Sequence, residues 1–98
     1  MSDAPEESSV PDPLARCREE IERIDDEIVA LLIRRMELAR QTGQLKREAD
    51  LPILDPERES AVIRRVSELA RSGGLPVEPV REVFWQIVGM SRRAQEYQ

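Results

Sequence analysis

The chain has 98 residues, the size of a single domain, and 36% of them are charged while only 3% are aromatic. A composition dominated by Glu, Arg, Leu, Ile and Ala is typical of long helices and argues against a β-sandwich or a barrel. The net charge of −5 argues against general nucleic-acid binding, and one cysteine without any histidine excludes an internal disulfide, a zinc site and Cys–His or Ser–His catalysis.

The chain opens with MSDAPEESSVPDP, an acidic segment rich in proline and serine. We predict a disordered tail over residues 1–13, because such a composition buries too little apolar surface to fold. The segment is also the opposite of the basic and then apolar start of a signal peptide, and no apolar run approaches the ~20 residues that cross a membrane. We therefore expect a cytoplasmic protein without a membrane partner, and a folded domain over residues 14–98.

A heptad pattern predicts a long helix after this tail. Asp12 suits an N-cap and Pro13 the first helical position, and the next proline is Pro52. One stripe recurs in steps of three and four, at Leu14, Cys17, Ile21, Ile24, Ile28, Leu31, Arg35, Leu38, Thr42 and Leu45. We predict a helix from about residue 13 to about residue 49, roughly 54 Å long. Because a compact chain of this length has a radius of gyration of only ~13 Å, a second copy is needed to cover the stripe, and we predict an obligate homodimer.

Two shorter helices follow the break at Pro52. Asp55 is a suitable N-cap for the second helix, and Gly73 and Gly74 predict its end. The prolines within residues 75–79 start the third helix, whose inward stripe is Val80, Phe84, Ile87, Ser91 and Ala94. No strand pattern competes with these helices, so we expect an all-α fold with three helices per chain, the first of them very long.

An arginine interrupts the stripe of the first helix. A buried guanidinium without an anion is costly, so Arg35 needs either an acidic neighbour, the commoner arrangement, or a bound anion. Lys46 follows about three helical turns later and lies near the same face. Arg18 lies beside the stripe about 25 Å from Arg35 along the axis, so only an antiparallel partner helix can bring it to the same place. Singly, Arg18 and Lys46 look like ordinary surface charges.

The other two helices also carry polar residues on their inward faces. Arg58 and Glu59 begin the second helix, where first-turn positions alone would explain them. Ser91 and Gln95 form an i, i+4 pair inside the third helix, where such residues usually bond the local backbone. Polar groups on all three inward faces, with mainly positive charge, indicate a cavity for a small anion rather than a core.

Five short motifs occur in order: R-x-x-I-x-x-I-D (18–25), L-L-x-R-R-x-E-L-A (31–39), G-x-x-K (43–46), P-I-x-D-x-x-R-E (52–59) and S-x-x-x-Q (91–95). Together they resemble the all-α chorismate mutase family in its small bacterial form. Each motif is weak alone, but the five in this order with compatible spacing make a specific match over about residues 14–95. The resemblance implies an intertwined helical homodimer of three-helix chains.

The family that these motifs resemble converts chorismate to prephenate, a [3,3] rearrangement at the start of Phe and Tyr biosynthesis. The resemblance implies that Arg18 of the partner subunit and Arg35 bind the two substrate carboxylates. It also implies that Arg58 and Ser91 complete the polar wall of the site. Every matching position carries the residue type of the family.

The resemblance further implies that Lys46 and Gln95 donate hydrogen bonds to the ether oxygen of the breaking bond. Glu59 and the backbone near Asp55 would hold the ring hydroxyl. A unimolecular rearrangement needs no nucleophile, metal or cofactor, so we expect none. We expect catalysis to come from holding a flexible dianion in its reactive shape and from stabilising charge on the ether oxygen.

Alternatives exist within and outside this chemistry. Isochorismate-pyruvate lyases and 4-amino-4-deoxychorismate mutases resemble the same family. Glu59 and Ser91 favour the plain mutase, because Glu59 suits a ring hydroxyl and we expect the lyases to lack this acid, although an acid would also bind an amino group. A non-catalytic helical dimer would explain the heptads, but not Arg35, Ser91 and Gln95 in apolar stripes. Because the chain has no room for an effector domain, we expect any regulation to come through a partner such as another shikimate-pathway enzyme.

Overall fold

The structure is a computed structural model and describes residues 12–96. It contains the helices α1 (Pro13–Glu48), α2 (Pro56–Ser72) and α3 (Val77–Glu96), and no strand occurs among the described residues. The expected all-α class with a very long first helix is confirmed. Of the expected disordered tail, residues 1–11 lie outside the described residues. Its last two residues belong to the helix start instead, since Asp12 caps α1 and Pro13 is the first residue of α1. The end of the expected domain, residues 97–98, also lies outside them.

Aspartates cap the starts of α1 and α2, as the sequence predicts. The Asp12 carboxylate accepts a hydrogen bond from the backbone N–H of Ala15 at 2.6 Å, and the Asp55 carboxylate accepts one from the backbone N–H of Arg58 at 3.1 Å. A proline follows each aspartate, at a position whose N–H would have no helical partner in any case. A cap of this kind typically stabilises a helix by about 1 kcal/mol.

Asp50 ends α1 in a backbone conformation that favours glycine. Its φ is 60°, and the N–H groups of Asp50 and Leu51 donate to the carbonyls of Arg47 and Lys46 at 3.2 and 2.8 Å. These two bonds satisfy carbonyls that a helix end leaves without partners, an arrangement known as the Schellman motif. The sequence predicted the end of this helix from Pro52, but it did not reveal the strained residue that turns the chain.

Paired glycines end α2, as the sequence predicts. Gly74 has a φ of 78°, and the N–H of Leu75 donates to the carbonyl of Ala70 at 2.8 Å. Glycine adopts this conformation without the steric cost that a side chain would bring. The third helix, α3, then begins at Val77, directly after Pro76.

The chain divides into two compact units, and the described part of the first ends at residue 33, within α1. The apolar stripe of this unit faces water in the single chain: Ile21 is 56% exposed, Ile28 49% and Leu31 63%. Contiguous apolar patches of this kind mark places where a protein binds another molecule. The predicted homodimer requires an exposed apolar stripe that a second copy can cover, and this stripe is exposed.

The second unit contains residues 34–96 of the described chain, which are the end of α1 together with α2 and α3. The helices α2 and α3 pack against each other, and the buried apolar side chains of this unit are Ala39, Ile63, Val66, Ala70 and Val88. This core is small, since no large side chain among the described residues is fully buried. None of the described helices is both long and apolar enough to pass through a membrane.

Candidate active site

A cavity of about 440 Å³ lies among the three helices of the second unit. Its apolar lining consists of Leu38, Ala39, Val62 and Val88. Its polar lining contains seven of the eight site residues that the sequence indicates: Arg35, Lys46, Asp55, Arg58, Glu59, Ser91 and Gln95. A cavity of this size, with apolar walls and a few convergent polar groups, is typical of a small-molecule site.

A hydrogen bond joins Lys46 and Gln95 in the cavity wall. The Nζ of Lys46 donates to Oε1 of Gln95 at 2.8 Å and to the carbonyl of Ile53 at 2.8 Å. Because an ammonium has three N–H donors, these two bonds leave one for a ligand. Because Gln95 accepts through its amide oxygen, its NH₂ group is the part of the amide that can donate. Two donors from different helices are thereby held side by side.

Arg35 lies half-buried in the cavity wall without an acidic partner. Its Nη1 donates to Oγ of Ser91, and no carboxylate within residues 12–96 forms an ion pair with it. Burial lowers the pKa of Arg35, and the like charge of Arg58 lowers it further. The guanidinium keeps its charge, since arginine is not deprotonated in proteins. The sequence left two possible partners for Arg35, an acidic neighbour or a bound anion. The described residues provide no acidic neighbour, so an anionic ligand would offset its charge.

Glu59 is held by an arginine that the sequence pattern does not reveal. The Nε and Nη2 of Arg92 donate to Oε2 and Oε1 of Glu59 at 2.9 and 2.6 Å, so one guanidinium binds both carboxylate oxygens. The hydrogen bonding and the charge of Glu59 raise the pKa of Arg92. Arg92 is not among the residues that line the cavity. It follows Ser91 on α3, one position off the inward stripe, where a charge normally indicates a solvated surface.

The backbone of Gln95 lies in close contact with α1. The Nη1 of Arg47 donates to the carbonyl oxygen of Gln95 at 2.7 Å. A Cβ atom at Gly43 would lie 2.5 Å from the same oxygen and 2.7 Å from the Cα of Gln95, so only glycine permits this approach. The sequence analysis identifies Gly43 only as part of the G-x-x-K motif.

Arg18 is the one expected site residue that this cavity does not include. It lies on α1 in the first unit, and its side chain is exposed. It is absent from the residues that line the cavity. Its expected role in the site of a partner subunit stays a prediction.

The cavity suits an anion by its balance of charges. Its lining carries three cations, Arg35, Lys46 and Arg58, and two carboxylates. Of the carboxylates, Glu59 is neutralised by Arg92, and Asp55 accepts the cap hydrogen bond of α2. The positive groups are therefore less compensated than the negative ones, and a ligand with carboxylates fits this arrangement.

Known proteins resemble this chain over nearly all of its described residues. A family model described as chorismate mutase type II matches residues 17–96. The chain belongs to this family. The resemblance that the sequence motifs indicate is therefore confirmed, and the segment that matches the chorismate mutase type II model contains all eight expected site residues.

Two relatives have chorismate mutase in their names. The chain is 37% identical over 78 residues to a bifunctional chorismate mutase/prephenate dehydratase of Aquifex aeolicus, covering 76% of this chain and 22% of that protein. It is 36% identical over 58 residues to a chorismate mutase of Methanocaldococcus jannaschii, covering 59% of each chain. A solved structure of a conserved hypothetical protein from Pyrococcus furiosus matches it with a TM-score of 0.70 and 36% identity, covering 88% of this chain and 99% of that one. The chain thus spans about a fifth of the length of the bifunctional relative.

Proposed function

We propose that the chain catalyses the rearrangement of chorismate to prephenate in Phe and Tyr biosynthesis. One observation carries this proposal above the others: a cavity of a chorismate mutase type II chain holds an arginine without an acidic partner next to a fixed pair of hydrogen-bond donors. Arg35 would bind a substrate carboxylate, and Lys46 and Gln95 would face the ether oxygen. The volume of the cavity and the positive charge of its lining suit a small dicarboxylate, which supports the same assignment.

Catalysis would follow from where these donors are fixed. As the C–O bond breaks, negative charge builds on the ether oxygen, and the remaining N–H of Lys46 and the NH₂ group of Gln95 would stabilise it. Because the donors are already held by each other and by the carbonyl of Ile53, little reorganisation is needed during the reaction. Holding both ends of a flexible dianion also lowers the entropic part of the barrier.

The carboxylate of Glu59 and the backbone near Asp55 would hold the ring hydroxyl. Arg58 and Ser91 would complete the polar wall of the cavity. This assignment distinguishes chorismate from isochorismate by the position of the hydroxyl, and the same assay should therefore include isochorismate. The release of pyruvate from isochorismate would support the lyase in place of the mutase.

A second copy of the chain would complete the site. The exposed stripe of the first unit needs a cover, and Arg18 beside it would supply the second cation for the substrate's other carboxylate. Mixing Arg18→Ala chains with Lys46→Ala chains tests this directly. Each mixed dimer would hold one intact site, so an equal mixture should recover about a quarter of the wild-type activity, while each variant alone stays inactive. No recovery after subunit exchange, with mixed dimers present, would count against the donation of Arg18.

The activity itself is tested by following the disappearance of chorismate and the appearance of prephenate. Lys46→Ala should lower turnover by about a hundredfold or more while the helical circular dichroism stays unchanged. Arg64→Ala removes an exposed cation from α2 and serves as the matched control, with wild-type turnover expected. A wild-type chain that binds chorismate without converting it would instead support the non-catalytic helical dimer.

A further inference from the structure

The pair of Arg92 and Glu59 bears on which ring substituent the cavity accepts. Glu59 lines the cavity and its side chain is only 17% exposed, whereas Arg92 reaches both of its oxygens without lining the cavity. Such two-point contact fixes the plane of a carboxylate as well as its position. Arg92 therefore controls both the charge and the orientation that Glu59 presents to a ligand.

We infer that Arg92 is a specificity-determining positioning residue, which makes the Glu59 carboxylate select a neutral ring hydroxyl over a ring ammonium. This inference rests on the proposed function and narrows it to the hydroxyl-bearing substrate. The ring-amino analogue, 4-amino-4-deoxychorismate, is the relevant competitor because an acid alone would also bind an amino group.

The physical basis is the difference between accepting a hydrogen bond and compensating a charge. Each carboxylate oxygen has two lone-pair positions, and Arg92 uses one on each oxygen, so Glu59 can still accept a hydrogen bond from a hydroxyl. The ammonium group of the analogue must lose water on entering the cavity, and it meets a carboxylate whose charge Arg92 already neutralises. The pair therefore binds a hydroxyl well, but it compensates an ammonium only weakly for the hydration that the ammonium loses.

Removing the guanidinium should reverse this preference. In Arg92→Gln, Glu59 becomes an uncompensated anion that repels the dianionic chorismate and attracts the ammonium of the analogue. We expect kcat/KM for chorismate to fall by about tenfold, mostly through KM, and the ratio of kcat/KM between chorismate and the analogue to fall by at least about as much. Arg92→Lys keeps the charge but loses the two-point contact, so it should keep the ratio within about threefold while kcat declines.

The experiment measures kcat and KM for both substrates in the full chain, with thermal unfolding as a check on folding. Arg93→Gln makes the same change of charge at the next, exposed position of α3 and should leave both the rates and the ratio unchanged. An equal loss with both substrates in Arg92→Gln, or the same shift in Arg93→Gln, would overturn the inference and leave the proposed function standing. Wild-type chains that convert neither substrate, or that prefer the analogue, would reject the proposed function and the inference together.

Discussion

Replacing Gly43 by alanine sets two effects against each other where α1 touches the backbone of Gln95. Alanine is the better helix former by about 1 kcal/mol, so propensity alone predicts a more stable chain. The new Cβ, however, would lie 2.5 Å from the carbonyl oxygen of Gln95, 2.7 Å from its Cα and 3.0 Å from its carbonyl carbon. Optimal contacts between such atoms are about 3.5 Å, so the backbone of Gln95 must move by about 1 Å.

That displacement should be felt more in catalysis than in stability. Overpacking of this kind costs about 1–3 kcal/mol, which the gain in helix propensity partly offsets, so we expect a net destabilisation of no more than about 2 kcal/mol. A 1 Å misplacement of a positioning group, by contrast, can lower the rate by about a hundredfold. We therefore expect Gly43→Ala to lower kcat/KM for chorismate by about 10- to 100-fold in a chain that still folds.

Gly89 provides a matched control in the interior of α3. The nearest atom to an added Cβ there is Nη1 of Arg93 at 3.6 Å, an ordinary contact with a flexible side chain. Gly89→Ala should keep its kcat/KM and unfold at a slightly higher temperature, since only the propensity term changes. The reasoning would be refuted if Gly43→Ala kept wild-type kcat/KM, or if both variants lost activity to the same extent. The assay is steady-state turnover of chorismate together with thermal unfolding followed by circular dichroism.

Two further substitutions test the end of α1 and its exposed stripe. Asp50→Gly removes the side chain from a residue with a φ of 60° and should stabilise the chain by about 0.5–1 kcal/mol, measured by urea unfolding. A lower unfolding midpoint would show that the aspartate side chain stabilises the chain by more than its strain costs.

Ile28→Lys places a charge on the stripe that a second copy would cover, so sedimentation should detect monomers and turnover should fall. Asp26→Lys, on the far side of the same helix, should keep the wild-type assembly. Dimers that persist in Ile28→Lys would contradict the proposed interface.

Local chemistry made the helix boundaries predictable from the sequence. Asp12 and Asp55 accept hydrogen bonds from backbone N–H groups three residues later, and each is followed by proline. The paired glycines after α2 provide the left-handed residue that closes it, at Gly74. Each signal acts over fewer than about six residues, so it can be read without knowledge of the tertiary structure.

Much of the candidate site was predictable for a different reason. Arg35, Ser91 and Gln95 replace apolar residues within inward stripes, and a helix that buries a stripe must bring such residues together with polar groups of its neighbours. The stripe argument fails for Arg92, which lies off the stripe and binds Glu59, a residue 33 positions earlier in the sequence. It also fails for Gly43, because a close approach of two backbones depends on how the helices cross and not on their periodicity.

The last turns of α3 connect these contacts into one network, and this network has a measurable consequence. Ser91 accepts from Arg35, Arg92 donates to Glu59, and Gln95 accepts from Lys46, so a single segment of α3 fixes side chains of both α1 and α2. Residues that share partners in this way show coupled rather than additive effects on substitution. In a Gln95→Ala background, the donor that Gly43→Ala displaces is already missing, so Gly43→Ala should then lower kcat/KM by clearly less than it does in the wild type. If the two losses were simply additive, Gly43 would act on the reaction by some route other than the position of Gln95.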